Sequence, residues 1–169
     1  MVDFGKFNLV GLKITILAVG DLKESYWQAA ASEYSRRLSG YLELQVVELR
    51  ERVASGQTAA EILATEAAAI HGYLDRQSKA TPLILLEIAG RSISSADLAA
   101  RLQRQAGSGE PALIFIIGGS WGVDASVRTR ATERISLGAM TLPHSLARIV
   151  LLEQLYRACR INRGEPYHK

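Results

Sequence analysis

A single cysteine, Cys159, leaves no partner for an internal disulfide and argues against a structural zinc site. The three histidines are scattered at 71, 144 and 168, so no metal-ligand spacing is visible and no metal is expected. No apolar run approaches the roughly 20 residues needed to cross a bilayer. Residues 7–19 (FNLVGLKITILAV) come nearest to a signal core, but Lys13 interrupts them and no basic stretch precedes. A cytoplasmic, non-membrane protein is expected. Repeats, low-complexity tracts and dividing linkers are missing too, which points to one domain over residues 13–169, with residues 1–12 as a short extension or upstream start.

The composition is that of a folded protein. With 169 residues, 48% hydrophobic and 22% charged, the chain can bury one sizeable core and is too short for two. The net charge of +3 is unevenly spread. From Arg128 onward, eight Arg and Lys face three Glu, a net +5 that leaves −2 on the rest. A cationic end on a weakly acidic body suits an anionic partner, while a solvated helix face is the plainer reading.

Hydrophobic patterning predicts alternating strands and helices. Lys13–Val19 is β-branched and apolar without alternation, as in a strand covered on both faces. Ser25–Leu38 follows as a helix carrying Trp27, Ala30, Ala31, Tyr34 and Leu38 on one side. Leu44–Leu49 is a second strand. Thr58 and Glu61 form a capping box that opens a helix with Leu63, Ala67, Ile70 and Leu74 on one face. Leu83–Ala89 is a third strand, Ser94 and Asp97 cap another helix, and Ala112–Ile117 is a fourth strand. Asp124 reads as a further cap and Glu133 as a helix surface residue. This order predicts an α/β fold: a parallel sheet with helices on both faces.

In such sheets ligands bind beyond the carboxyl ends of the strands. Three loops qualify: 87–91, 118–123 and 137–144. Gly118-Gly119-Ser120-Trp121-Gly122 does not have dinucleotide spacing and lacks the lysine of a phosphate-binding loop. It does match the short G-x-S-x-G nucleophile elbow, with Ser120 as nucleophile and His144 as base. It also suits close approach of a ligand to bare backbone, or a plain turn needing positive φ. Ile135–Leu142 reads as a short apolar run with Gly138 in its middle, where Leu137, Met140 and Leu142 could wall an adenine-sized pocket or simply join the core. The last helix starts near Pro143, capped by His144 or Ser145. Its polar arc holds Glu153, Gln154, Arg157 and Arg160, with Glu153 and Arg157 at i,i+4. Arg148 lies opposite, with Leu152, Leu155 and Cys159, and needs a partner for its charge. A structural ion pair and a role in ligand or phosphate recognition are both open to it. The tail from Arg163 either frays or, with Tyr, His, Arg and Lys together, meets a nucleic-acid loop.

These segments resemble a known family. The stretches LEIAGR (86–91), FIIGGSWG (115–122) and LGAMTLPHSLARIVLLEQLYRA (137–158), the terminal EPYHK, and KITILAVGDLKESYW near the start are similar to the RlmH family, small SPOUT-class methyltransferases of bacterial large-subunit rRNA. The resemblance covers residues 13–169. It implies a SPOUT fold with a C-terminal trefoil knot, a homodimer, and S-adenosylmethionine as methyl donor with no metal. Family donor contacts carry over to Leu86, Gly118, Leu137, Gly138, Ala139, Met140, Thr141 and Leu142. The acceptor implied is N3 of pseudouridine 1915 in 23S rRNA, reached on the assembled ribosome. In that setting His168 is expected to take or relay the proton, Tyr167 to place the base, and Arg148 to hold phosphate or anionic oxygen.

Overall fold

The computed structural model describes residues 7–51 and 55–166. In chain order the elements are β1 (Lys13–Val19), α1 (Ser25–Leu38), β2 (Glu43–Leu49), α2 (Ala59–Leu74) and β3 (Leu83–Ser92). There follow α3 (Ser95–Ala106), β4 (Ala112–Ile117), α4 (Ala125–Arg130), β5 (Glu133–Ser136) and α5 (His144–Asn162). Among the described residues the strands form one parallel sheet in the order β2-β1-β4-β3-β5.

The central strands are buried on both sides, and their alternating side chains divide between two cores. Ile14, Ile16 and Ala18 of β1 and Leu113, Phe115 and Ile117 of β4 face a layer containing Leu38 of α1, Leu98 and Leu102 of α3, and Leu151, Leu152 and Leu155 of α5. Leu17 and Val19, with Ile114 and Ile116, face the opposite layer, where Ala67, Ile70 and Leu74 of α2 meet Val127 of α4. The continuous apolar runs of β1 and β4 follow from this double burial. In contrast β2 lies at the sheet edge, and its Val46 is exposed.

Both expected capping boxes are present. Thr58 and Glu61 satisfy each other's backbone N–H, as do Ser94 and Asp97, and each cap contributes about 1 kcal/mol. Asp124 accepts from Ser126 N–H at the start of α4. Glu133, in contrast, is not a helix residue. It opens β5, where Arg101 of α3 pairs with it at 2.6 Å.

Three further departures have local causes. Strand β3 runs past Ala89 to Ser92, because Leu86 and Arg91 both pair with Ile135 and residues 87–90 bulge between them. Gly90 makes this possible: a β-carbon there would lie 2.6–2.8 Å from the backbone of Arg134 and Ile135. The run 135–142 is a strand only to Ser136. Gly138 lies in the following loop at φ +138, a conformation that ends β structure for any L side chain. Finally, the packed fold begins before Lys13. Leu9 and Leu12 are buried in the α5 layer, and Phe7 N–H donates to the Asn162 carbonyl at 2.8 Å.

Candidate functional site

At the carboxyl ends of β3 and β4 the sheet opens into a cleft of about 800 Å³. Its walls are the β3 bulge (Leu86 to Ala89), the glycine turn after β4, and the segment Thr141 to His144 that leads into α5. A side pocket of about 90 Å³ adjoins it, lined by Leu86, Ser136, Leu137, Gly138, Leu142 and Ala147. The three loops singled out from sequence therefore meet in space.

Each loop is held by local chemistry. In the glycine turn, Gly122 takes φ +89 and its N–H donates to the Gly119 carbonyl at 3.1 Å. Gly118 admits no side chain, since a β-carbon would fall 2.4 Å from Val123 Cγ2 and 2.6 Å from the Gly122 oxygen. In the loop after β5, the Ser136 hydroxyl donates to the Gly138 carbonyl at 2.8 Å and accepts from Gly138 N–H at 3.2 Å. That turn directs Leu137 toward the side pocket. Pro143 is the N-cap of α5 and supplies no side-chain cap, and its carbonyl accepts from Ala147 N–H at 2.9 Å. His144 and Ser145 are thus the first helical residues rather than the cap, and His144 turns its ring into the cleft wall beside Gly20.

Of the residues expected to hold a donor, Leu86, Gly118, Thr141 and Leu142 line the cleft. Leu137 and Gly138 line the side pocket. Ala139 and Met140 lie on the connecting loop with their side chains outward, and Met140 is 80% exposed. Ser120 is exposed on the turn. No non-glycine described residue has positive φ, so Ser120 lacks the strained backbone of a nucleophile elbow.

Arg148 sits elsewhere than a phosphate contact requires. It is 1% exposed, donates to the Gly20 carbonyl at 2.8 Å, and forms an ion pair with Glu48. Its guanidinium joins the carboxyl ends of β1 and β2, which is the geometry of the structural ion pair and corrects the expectation that Arg148 itself holds phosphate or anionic oxygen. Tyr167 and His168 lie outside the described residues. The start of the tail folds back on the body: Glu165 accepts from Tyr41 Oη at 2.6 Å and pairs with Arg160 at 2.6 Å, while Arg163 lies 4.1 Å over the Tyr41 ring. Partial burial, and then the bond to Glu165, push the Tyr41 phenol up to about 12.

Two carboxylates in and behind the cleft wall add to the residues read from sequence. Glu87, 11% exposed at its side chain, projects from the bulge and pairs with both Arg128 (2.8 Å) and Arg134 (3.1 Å) at the rim. Glu66 of α2 is buried behind Gly119. A signal for it exists in the sequence: Ile62, Glu66 and Ile70 are spaced by four, which puts the carboxylate on the apolar face of α2.

The similarities to known proteins agree with this geometry. Residues 12–168 match the profile of a family described as predicted SPOUT methyltransferase. Proteins named ribosomal RNA large subunit methyltransferase H from Bacillus thuringiensis, Bacillus cereus and Bacillus anthracis are each 44% identical over 159 residues, covering 94% of this chain and 100% of theirs. A methyltransferase of Legionella pneumophila, solved in complex with the bound cofactor SAM, shares the fold at 14% identity with a TM-score of 0.50, over 85% of this chain and 65% of that one. With the profile spanning nearly the whole chain and the relatives matched over their full length, this protein belongs to the ribosomal RNA large subunit methyltransferase H family of SPOUT methyltransferases.

Proposed function

We propose that the chain is an S-adenosylmethionine-dependent methyltransferase of 23S rRNA, acting on N3 of pseudouridine 1915 in the assembled large subunit. The observation that carries this reading is the cleft formed where loops 86–90, 118–122 and 137–144 converge. Its size falls in the range of small-molecule sites, and its walls are largely apolar side chains and glycine backbone, with Glu87 and Arg128 paired at the rim, which suits a nucleoside whose edges are read by main-chain groups. Leu86, Leu137, Gly138 and Leu142 border the side pocket, which is proposed to take the adenine. Gly118, Ala139, Met140 and Thr141 complete the proposed donor contacts, with Ala139 and Met140 offering backbone.

When bound, the donor supplies a methyl group on a sulfonium, open to in-line attack by a ring nitrogen. An imide N3 carries a proton, so a base or a group stabilising the developing anion speeds transfer. His168 is proposed to take or relay that proton, and Tyr167 to place the acceptor base. The cationic tail grips the RNA backbone. Arg148, being buried, is proposed to act indirectly by holding Gly20 and β2 under His144. The C-terminal trefoil knot and the homodimer belong to the same reading.

Calorimetric titration with S-adenosylmethionine tests the donor half, with stoichiometric binding expected. For the acceptor half, His168→Ala and, separately, removal of the last five residues should each abolish most methylation of ribosomes. Nearly full activity in both would leave the tail without a chemical role.

A further inference from the structure

Glu66 is the least satisfied charged group near the cleft. It is 4% exposed, and its Oε1 has neither solvent nor a hydrogen-bond partner among the described residues. A carboxylate in that state is costly, because desolvation is repaid only by hydrogen bonds or an opposite charge. Burial, and then the like charge of Glu51, raise the Glu66 carboxyl above the usual range. A buried group left in that state calls for a physical explanation, and none of the described residues supplies a partner for Oε1.

The position of the carboxylate indicates where that partner sits. Glu66 presses against Gly119: a β-carbon there would lie 2.8 Å from Oε1 and 3.0 Å from Oε2. Gly119 is itself part of the cleft wall. Only one residue of glycine backbone, with no side chain, separates the carboxylate from the cavity. A positive charge in the cleft would interact with it through a water-poor region, where Coulomb attraction is several times stronger than in bulk water.

We propose that Glu66 is the counter-charge for a cationic ligand in this cleft, favouring the positively charged methyl donor over neutral nucleosides of the same shape. This rests on the reading that the donor is S-adenosylmethionine, which carries a sulfonium and an α-ammonium. Glu66 makes no bond to the reacting atoms. It sets affinity by charge, with Gly119 as the thin wall that lets the charge be felt.

The test is calorimetry on the full chain, wild type and Glu66→Gln, with three probes: S-adenosylmethionine, S-adenosylhomocysteine and neutral 5′-methylthioadenosine. The amide keeps the shape and removes the charge. S-adenosylmethionine should bind on the order of tenfold more weakly to the variant, while methylthioadenosine changes by less than about twofold. If S-adenosylhomocysteine is unaffected, the sulfonium is the group paired; if it weakens in parallel, the ammonium is. Equal loss for all three probes, or no loss for any, overturns the proposal. Thermal melting supplies a second readout: removing an unpaired buried charge should hold or raise Tm, whereas a structural carboxylate would lower it. Wild-type protein that binds none of the probes would instead defeat the donor reading itself, and the Glu66 proposal with it.

Discussion

Gly118→Ala is the substitution whose effect can be worked most directly from the geometry. Its β-carbon would fall 2.4 Å from Val123 Cγ2 and 2.6 Å from the Gly122 carbonyl oxygen. Both separations are far inside van der Waals contact, so something must move. Val123 is a buried core residue and can yield only by disturbing its neighbours. The Gly122 oxygen belongs to the turn that walls the cleft and cannot yield without opening that turn. Overpacking of this kind costs about 1–3 kcal/mol, which for a chain of this size is a Tm loss of about 3–9 °C. Donor affinity should fall further than stability alone explains, because the displaced atoms line the site. Adding Val123→Ala relieves the first contact and leaves the second, so the double variant should regain part of the lost Tm but little of the lost affinity. Differential scanning calorimetry and titration with S-adenosylmethionine read the two quantities separately. A Gly118→Ala protein that melts and binds like wild type would refute the account of the turn.

Other consequences follow from the pairs around the site. Arg148→Met should cost about 2 kcal/mol in urea unfolding, since Glu48 loses its partner but is partly exposed and can be rehydrated; a loss of donor affinity beyond the loss of stability supports the positional role, unchanged affinity would reduce Arg148 to a purely structural pair, and a selective loss of ribosome binding at unchanged stability would restore phosphate contact. Tyr41 has a folded pKa raised to about 12 from an ordinary value of 10.0, so its contribution is full below pH 10 and is lost as pH rises from 10 to 12; Tyr41→Phe should flatten the fall in Tm across that window, and an unchanged profile would show that another group causes it. Gly90→Ala should destabilise the chain by at least about 2 kcal/mol, because its β-carbon would meet the backbone of Arg134 and Ile135; a wild-type urea midpoint would show that the bulge can shift. RNA affinity should drop steeply between low and physiological salt, with log–log slope shallower by about one for each phosphate-contacting cation removed.

Much of the scaffold could be read directly because its signals are local. The limits of β1, β4 and α1 coincide with those expected, since doubly buried strands leave unbroken apolar runs and the adjacent turns carry Gly20, Gly40 and Pro111. The capping boxes needed only three-residue spacing. The features that shape the cleft depend on partners remote in sequence. The bulge at 87–90 exists because Leu86 and Arg91 compete for Ile135, which no local pattern announces. Leu9 and Leu12 looked like an extension because their partners are helices later in the chain. The apolar face around Arg148 signals that it needs a partner, but Glu48 lies a hundred residues upstream and only folding brings it near. The convergence of the three cleft loops was legible through the family resemblance and through the rule placing ligands at carboxyl strand ends.

The proposed activity is transfer of a methyl group from S-adenosylmethionine to one base of 23S rRNA. The direct measurement is incubation of the purified chain with labelled S-adenosylmethionine and large-subunit-containing ribosomes from a strain lacking the modification, followed by mass spectrometry of nuclease fragments. One added methyl group is expected, on N3 of pseudouridine 1915, and none without the donor. Label on a different nucleotide would contradict the acceptor assignment, and no transfer from a donor that demonstrably binds would contradict the function itself.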